Sequence, residues 1–157
     1  MNRYVAIFLT VIFCALSVKA QPVQPKQKDE SGVVLEKAKQ FDRFLEEKNY
    51  DALWNFLAPN LKEDYENKEG YIERTKIFSQ YTEVFFSNQK LVLMKKRYAI
   101  LEGIYSITHT NTKESFKGCI RNVWVKASDD IWYFLTGGFR CDYPTEKIVE
   151  ELGLERR

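Results

Sequence analysis

Few residues in this chain have the type and spacing to do chemistry. Cys119 and Cys141 are the two cysteines beyond the apolar N-terminal segment. In an exported chain such an even pair is expected as a disulfide, stabilising by about 3 kcal/mol on a chain-entropy estimate; two buried thiols are the alternative. Zinc is not expected, because two cysteines and the single histidine, His109, fall short of four ligands. His109 stands among Thr108, Thr110, Asn111 and Thr112, the make-up of a solvated strand end. No Gly-x-Ser-x-Gly elbow is present to supply an activated serine. Phosphate-binding loops and dinucleotide fingerprints are missing too, so neither cofactor nor metal is expected. Arg121 lies in a strand-like run between Ile120 and Asn122. Pointing inward, its guanidinium would suit an anionic ligand; pointing outward, it is simply solvated.

The N-terminus carries an address. Arg3 is followed by an almost wholly apolar or small run from Tyr4 to Val18, and Val18-Lys19-Ala20 supplies the small residues of a cleavage site. This predicts a secretory signal peptide over 1–20. The run is shorter than the roughly 20 residues of a spanning helix, so no stable membrane insertion is expected after cleavage. The leader holds Arg3 and Lys19 and no acid, so 24 basic residues become 22, against 22 acidic. Such a neutral surface excludes the concentrated basic face of a nucleic-acid binder. Residues 21–32, with Pro22, Pro25 and one apolar side chain, Val23, are expected to form a flexible tether. Residues 33–157 remain as a single domain, and 45% hydrophobic with 29% charged residues suits one globular core.

The elements that must position these groups follow from periodicity. Leu35, Ala38, Phe41, Phe44 and Leu45 predict a helix, with Glu36, Lys39, Asp42, Arg43 and Glu46 on its solvent side. Tyr50, Leu53, Trp54 and Leu57 predict a second helix ending before Pro59. The Asn60 and Glu63 spacing predicts a capping box opening a third. Tyr71, Thr75, Phe78, Tyr81 and Phe85 predict a longer helix to about Phe86. β-Branched and aromatic residues then predict four strands, about 90–101, 104–112, 115–127 and 131–140. The turns between them would be Glu102-Gly103, Asn111 to Glu114 and Ala127 to Asp130, short enough for an antiparallel meander. Pro144-Thr145 with Ile148, Val149 and Leu152 predicts a last short helix, stopped by Gly153, that docks on the sheet or a neighbour.

Helices followed by a long meander make an α+β fold, the helices packed on one face of the sheet. The order "FDRFLEEKNYDALWNFLAPNLKEDY", a further helix and strands closing on "WVKASDDIWYFLTGGF" resembles the nuclear-transport-factor-2-like superfamily over about 35–140. The resemblance implies a cone of helices on a curved sheet, used by enzymes, small-ligand binders and structural domains alike. Some members, ketosteroid isomerase among them, set a carboxylate base opposite a phenol. Glu102 with Tyr98, Tyr105 and Tyr133 would be the corresponding pieces here. Tyrosines on strands are more simply packing residues, and Glu102 beside Gly103 reads as a turn residue.

With those turns, one sheet face gathers Ile104, Val123, Val125, Trp132 and Phe134. The other gathers Tyr98, Ile100, Tyr105, Ile107, Ile120, Trp124, Tyr133 and Leu135. Both are apolar, and four modest helices cover only one. The rest must bend round a pocket, meet another subunit or lie under the C-terminal segment. Cys119 and Cys141 fall on opposite faces in this pairing, so a disulfide needs a bulge, for which Gly137-Gly138 is the natural place. The expectation is an exported, non-catalytic interaction module with a protein partner or a second copy as homodimer. The alternative is a binder of a small hydrophobic ligand lined by Tyr98, Tyr105, Arg121, Trp124 and Tyr133.

Overall fold

The computed structural model describes residues 29–65, 67–76 and 81–156, the side chains of 82–86 excepted. The expected leader and most of the expected tether lie outside these residues. Helix α1 (Glu30–Glu46) starts inside the segment read as tether, capped by the Asp29 side chain, which accepts from the Gly32 amide at 3.2 Å. Helices α2 (Tyr50–Phe56), α3 (Pro59–Glu63) and α4 (Lys68–Thr75) follow. Asn49 and Asn67 cap α2 and α4 through their side-chain oxygens. Asn60 does not cap α3: Pro59 opens that helix after Ala58, whose amide is tied to the Phe134 carbonyl at 2.8 Å.

Four antiparallel strands run in the order β1-β2-β3-β4: β1 (Tyr81–Met94), β2 (Tyr98–His109), β3 (Ser115–Lys126) and β4 (Trp132–Arg140). The α+β fold is therefore as expected, but two boundaries are not. Tyr81 to Phe86 are strand where a helix was expected, and residues 77–80 lie outside the described set. The first turn falls at Lys95-Lys96-Arg97, so Glu102-Gly103 is mid-strand. Gly103 answers a close approach and makes no turn: a Cβ there would lie 3.3 Å from Gln89 Cγ and 3.4 Å from the Ser87 carbonyl oxygen.

That shift in the first turn re-sorts β2, and the β3–β4 connection, which pairs Lys126 with Trp132 and not with Ile131, re-sorts β4 against β3. Ala99, Leu101, Trp124, Trp132 and Phe134 join Val34, Ala38, Phe41, Leu45, Leu53 and Phe56 in the core between helices and sheet. Phe41 stacks on Phe134 at 4.6 Å and meets Trp124 edge-on at 5.8 Å. Tyr98, Ile100, Val123, Val125 and Leu135 lie on the opposite, outer face. Each face expected from sequence thus mixed residues of both.

The outer face is roofed by the chain itself. Helix α5 (Thr145–Glu151) and the 3-10 turn Leu154–Arg156 bring Ile148 and Leu154 down onto it, and both are buried there. Gly153, at φ +59°, reverses the chain between them. The surplus of apolar strand surface is therefore sheltered by the C-terminal segment, one of the three coverings open from the sequence, and a second copy is not needed for it. The roof is fastened at its start by the Cys119–Cys141 disulfide, with Cα atoms 5.5 Å apart. β4 carries two extra residues against β3: Trp124 pairs with Phe134, Val123 with Thr136 and Arg121 with Phe139, the second shift falling at Gly137-Gly138, and the two together leave Cys141 on the same face as Cys119. Gly138 sits there at φ +89°.

Candidate functional site

The five residues expected to line a ligand site do not come together. Trp124 is deep in the helix-facing core and Tyr105 lies on the same face nearer the β2–β3 hairpin, whereas Tyr98, Arg121 and Tyr133 are on the outer face. Each outer-face group is committed to a partner. Tyr98 donates its hydroxyl to Glu155, and burial and that carboxylate push the phenol up to about 12. Tyr133 donates to Asp129 Oδ2 at 2.7 Å, which also raises it. Tyr98 lines shallow clefts of about 340 and 380 Å³ beside the roof, not an enclosed cone.

Arg121 and Glu102 face one another across β2 and β3 and are largely buried. Arg121 Nε and Nη2 both converge on Glu102 Oε2, at 3.1 and 3.0 Å, two charge-assisted contacts to one oxygen. Lys90 holds the other carboxylate oxygen at 2.8 Å. The cations Lys90 and Arg121 keep the Glu102 carboxyl below the ordinary carboxylate range. A carboxylate so held is a poor proton acceptor, and among the described residues no phenol hydrogen-bonds to it. Arg121 Nη1 also donates to the Tyr143 carbonyl at 2.6 Å and to Thr145 Oγ1 at 3.1 Å. This arginine is therefore the clamp that holds the C-terminal roof to the sheet. Glu102, Cys119 and Cys141 bring their donor atoms within 4.8 Å of one another, but the sulfurs are joined as a disulfide and the carboxylate is engaged by cations. His109 sits at the end of β2, its Nδ1 accepting from the Asn111 and Thr112 amides at 3.3 and 3.4 Å.

Among the described residues, three places hold side chains not consumed by internal contacts, the third being the Gln89 amide oxygen at the β1 bulge. The first is on the helix-facing side toward the β2–β3 hairpin, where the register sets Tyr105 opposite Gly118 and Ile107 opposite Phe116. Tyr105, Ile107 and Ile120 are half-buried, and Phe116 is 52% exposed. The Tyr105 ring lies across Gly118, where a Cβ would come within 2.6 Å of the ring. Among the described residues the other large apolar side chains as open are Val92 and Ile131, which stand apart from this row. The second is the core between helices and sheet, where the Tyr50 hydroxyl on α2 and Trp124 Nε1 on β3 are each buried without a hydrogen-bond partner. Tyr71 packs against Trp54 and Tyr65 nearby, and burial with the neighbouring phenols drives its hydroxyl upward.

Sequence reasoning missed one group. Asp42, placed on the solvent side of α1, is buried. Its position four residues after Ala38 and three before Leu45 puts it on the apolar stripe, a signal present in the spacing.

Known structures match this arrangement in shape. Bd1075 of Bdellovibrio bacteriovorus superposes with a TM-score of 0.51 at 12% identity, over 67% of this chain. The chain spans only 39% of that protein. Aln2 from a Streptomyces species superposes with a TM-score of 0.52 at 8% identity, covering 83% of this chain and 97% of the other. The chain has a nuclear-transport-factor-2-like fold. Another match, named for a calcium/calmodulin dependent protein kinase II association domain from Xanthomonas campestris, has a TM-score of 0.48 at 15% identity, covering 71% of this chain and 87% of that one. Solved structures with this fold serve varied functions, and identities this low carry the fold alone. No protein-family model matches the chain, and no curated protein matches it in sequence.

Proposed function

We propose that this protein is an exported, non-catalytic interaction module that engages a protein partner through the hairpin end of its helix-facing sheet surface. The observation that carries the reading is the row Tyr105, Ile107, Phe116 and Ile120. It is apolar, only half-covered, and crowned by a phenylalanine more exposed than any other large hydrophobic among the described residues. Against it stand chemical groups bound to internal partners: Glu102 to Lys90 and Arg121, Tyr98 to Glu155, Tyr133 to Asp129. Export is supported by the leader-like N-terminus and by the disulfide.

The test is paired capture from the native envelope with tagged wild type and Phe116→Asp. A partner retained by the wild type and lost by the variant, with circular dichroism unchanged, supports the reading; equal capture by both contradicts it. A second reading, a small hydrophobic ligand in the core between helices and sheet, is favoured by the Tyr50 hydroxyl and Trp124 Nε1, each a buried donor without a partner. A reproducible small-molecule adduct in native mass spectrometry, lost in Tyr50→Phe, would select it.

A further inference from the structure

The recess where α1 meets β1 holds a group that the binding surface does not use. Asp42 is 6% exposed, and its Oδ2 accepts from Gln89 Nε2, which reaches across from the β1 bulge. Gln89 Oε1 is also buried and meets no donor in the structure. An ionised carboxylate only accepts, so it leaves that oxygen orphaned; a neutral acid has one hydrogen to donate. Acids and primary amides pair through two such bonds, O–H to carbonyl and N–H to carboxyl.

We propose that Asp42 and Gln89 form a proton-dependent staple. In it the neutral acid donates to Gln89 Oε1 while Gln89 Nε2 donates to Asp42 Oδ2, and loss of the proton loosens α1 from the β1 bulge. The recess, about 190 Å³, is lined from α1 by Lys39, Arg43 and Glu46 and from β1 by the uncharged Ser87 and Asn88. Arg43 is engaged with Glu47, and Lys90, next along β1, is turned to Glu102. Behind Gln89, β2 presents Gly103, which has no side chain to interfere. Burial pushes the Asp42 carboxyl up to about 7; Gln89 works against that rise and Glu46 with it. The bulge that carries Gln89 is marked by Asn88 at φ +54° and by the register shift between Ser87 and Lys90. Ionisation thus acts where the strand is already irregular.

The experiment is ¹³C NMR of the Asp42 carboxyl carbon from pH 4 to 9, read beside amide hydrogen exchange at residues 87–90. Wild type and Asp42→Asn are compared, since the asparagine amide can make the same two bonds without titrating. The carboxyl resonance is expected to move with a midpoint near 7. Protection at 87–90, corrected for base catalysis, is expected to fall at least tenfold between pH 5 and 8 in wild type and to stay level in the variant. A midpoint near 4, or the same fall in Asp42→Asn, overturns the proposal. If the variant does not fold, the wild-type carboxyl midpoint decides alone.

Discussion

Replacing Ile148 by alanine tests whether the C-terminal segment is a working part of the fold. Ile148 is fully buried against the outer sheet face, in the cluster of Ile100, Val123, Val125, Leu135 and Leu154. Shortening a buried isoleucine to alanine costs about 2–5 kcal/mol, because lost transfer energy and the residual cavity add. Helix α5 is short, stands at the chain end and can settle into the gap, so the lower half of that range, about 2–3 kcal/mol, is expected. At about 4 °C per kcal/mol for a domain of this size, the midpoint of thermal unfolding should drop by roughly 8–12 °C. Ile131→Ala is the control, since Ile131 is 42% exposed and should cost well under about 1 kcal/mol. Urea unfolding followed by tryptophan fluorescence reads both variants, with m-values checked for constancy. Equal, small effects at the two positions would mean that Ile148 is not packed on the sheet, and the reasoning about the roof would be wrong.

Three further outcomes are expected. Arg121→Leu should cost about 2–4 kcal/mol by urea unfolding, because it leaves the Glu102 carboxylate underpaired and unties Tyr143 and Thr145. Replacing Cys119 and Cys141 together with alanine should cost about 3 kcal/mol by the same measurement, the loop of 22 residues no longer being closed. The Asp42 carboxyl is raised from 3.8 to about 7, so its contribution to stability is full below pH 3.8 and is lost as pH rises through 7. At about 1.4 kcal/mol per unit, the loss above pH 8 approaches about 4 kcal/mol as an upper bound. Asp42→Asn should therefore match wild type near pH 4 and exceed it near pH 8, and parallel stability profiles would contradict this.

Much of the fold was legible because local patterns and global packing agree. The stripes of α1 and α2, the Asn111 and Ala127 turns and the C-terminal helix follow from residue spacing, and a β4 bulge stands at Gly137-Gly138, where the glycines mark it. The failures share a physical cause, tertiary context overriding local signal. Gly103 looked like a turn but serves a close approach of β1, and Glu102 beside it finds two cations that only strand pairing brings near. That misplaced turn, together with a β3–β4 connection one residue longer than expected, exchanged residues between the faces and scattered the expected ligand site. Asp42 was read by its charge and not by its place on the helix. The roof over the outer face needed no new signal: Ile148 and Leu152 were recognised as apolar, but sequence left open which surface they would meet.

The central claim is that recognition belongs to the row around Phe116. The most direct measurement is titration of the purified protein with the apolar fluorophore 1-N-phenylnaphthylamine, comparing wild type with Phe116→Asp and Ile131→Asp. Loss of the largest open apolar side chain of the row should weaken binding by about 1–2 kcal/mol, roughly tenfold, while Ile131→Asp leaves it unchanged. Equal binding by all three, or a loss confined to Ile131→Asp, would contradict the claim.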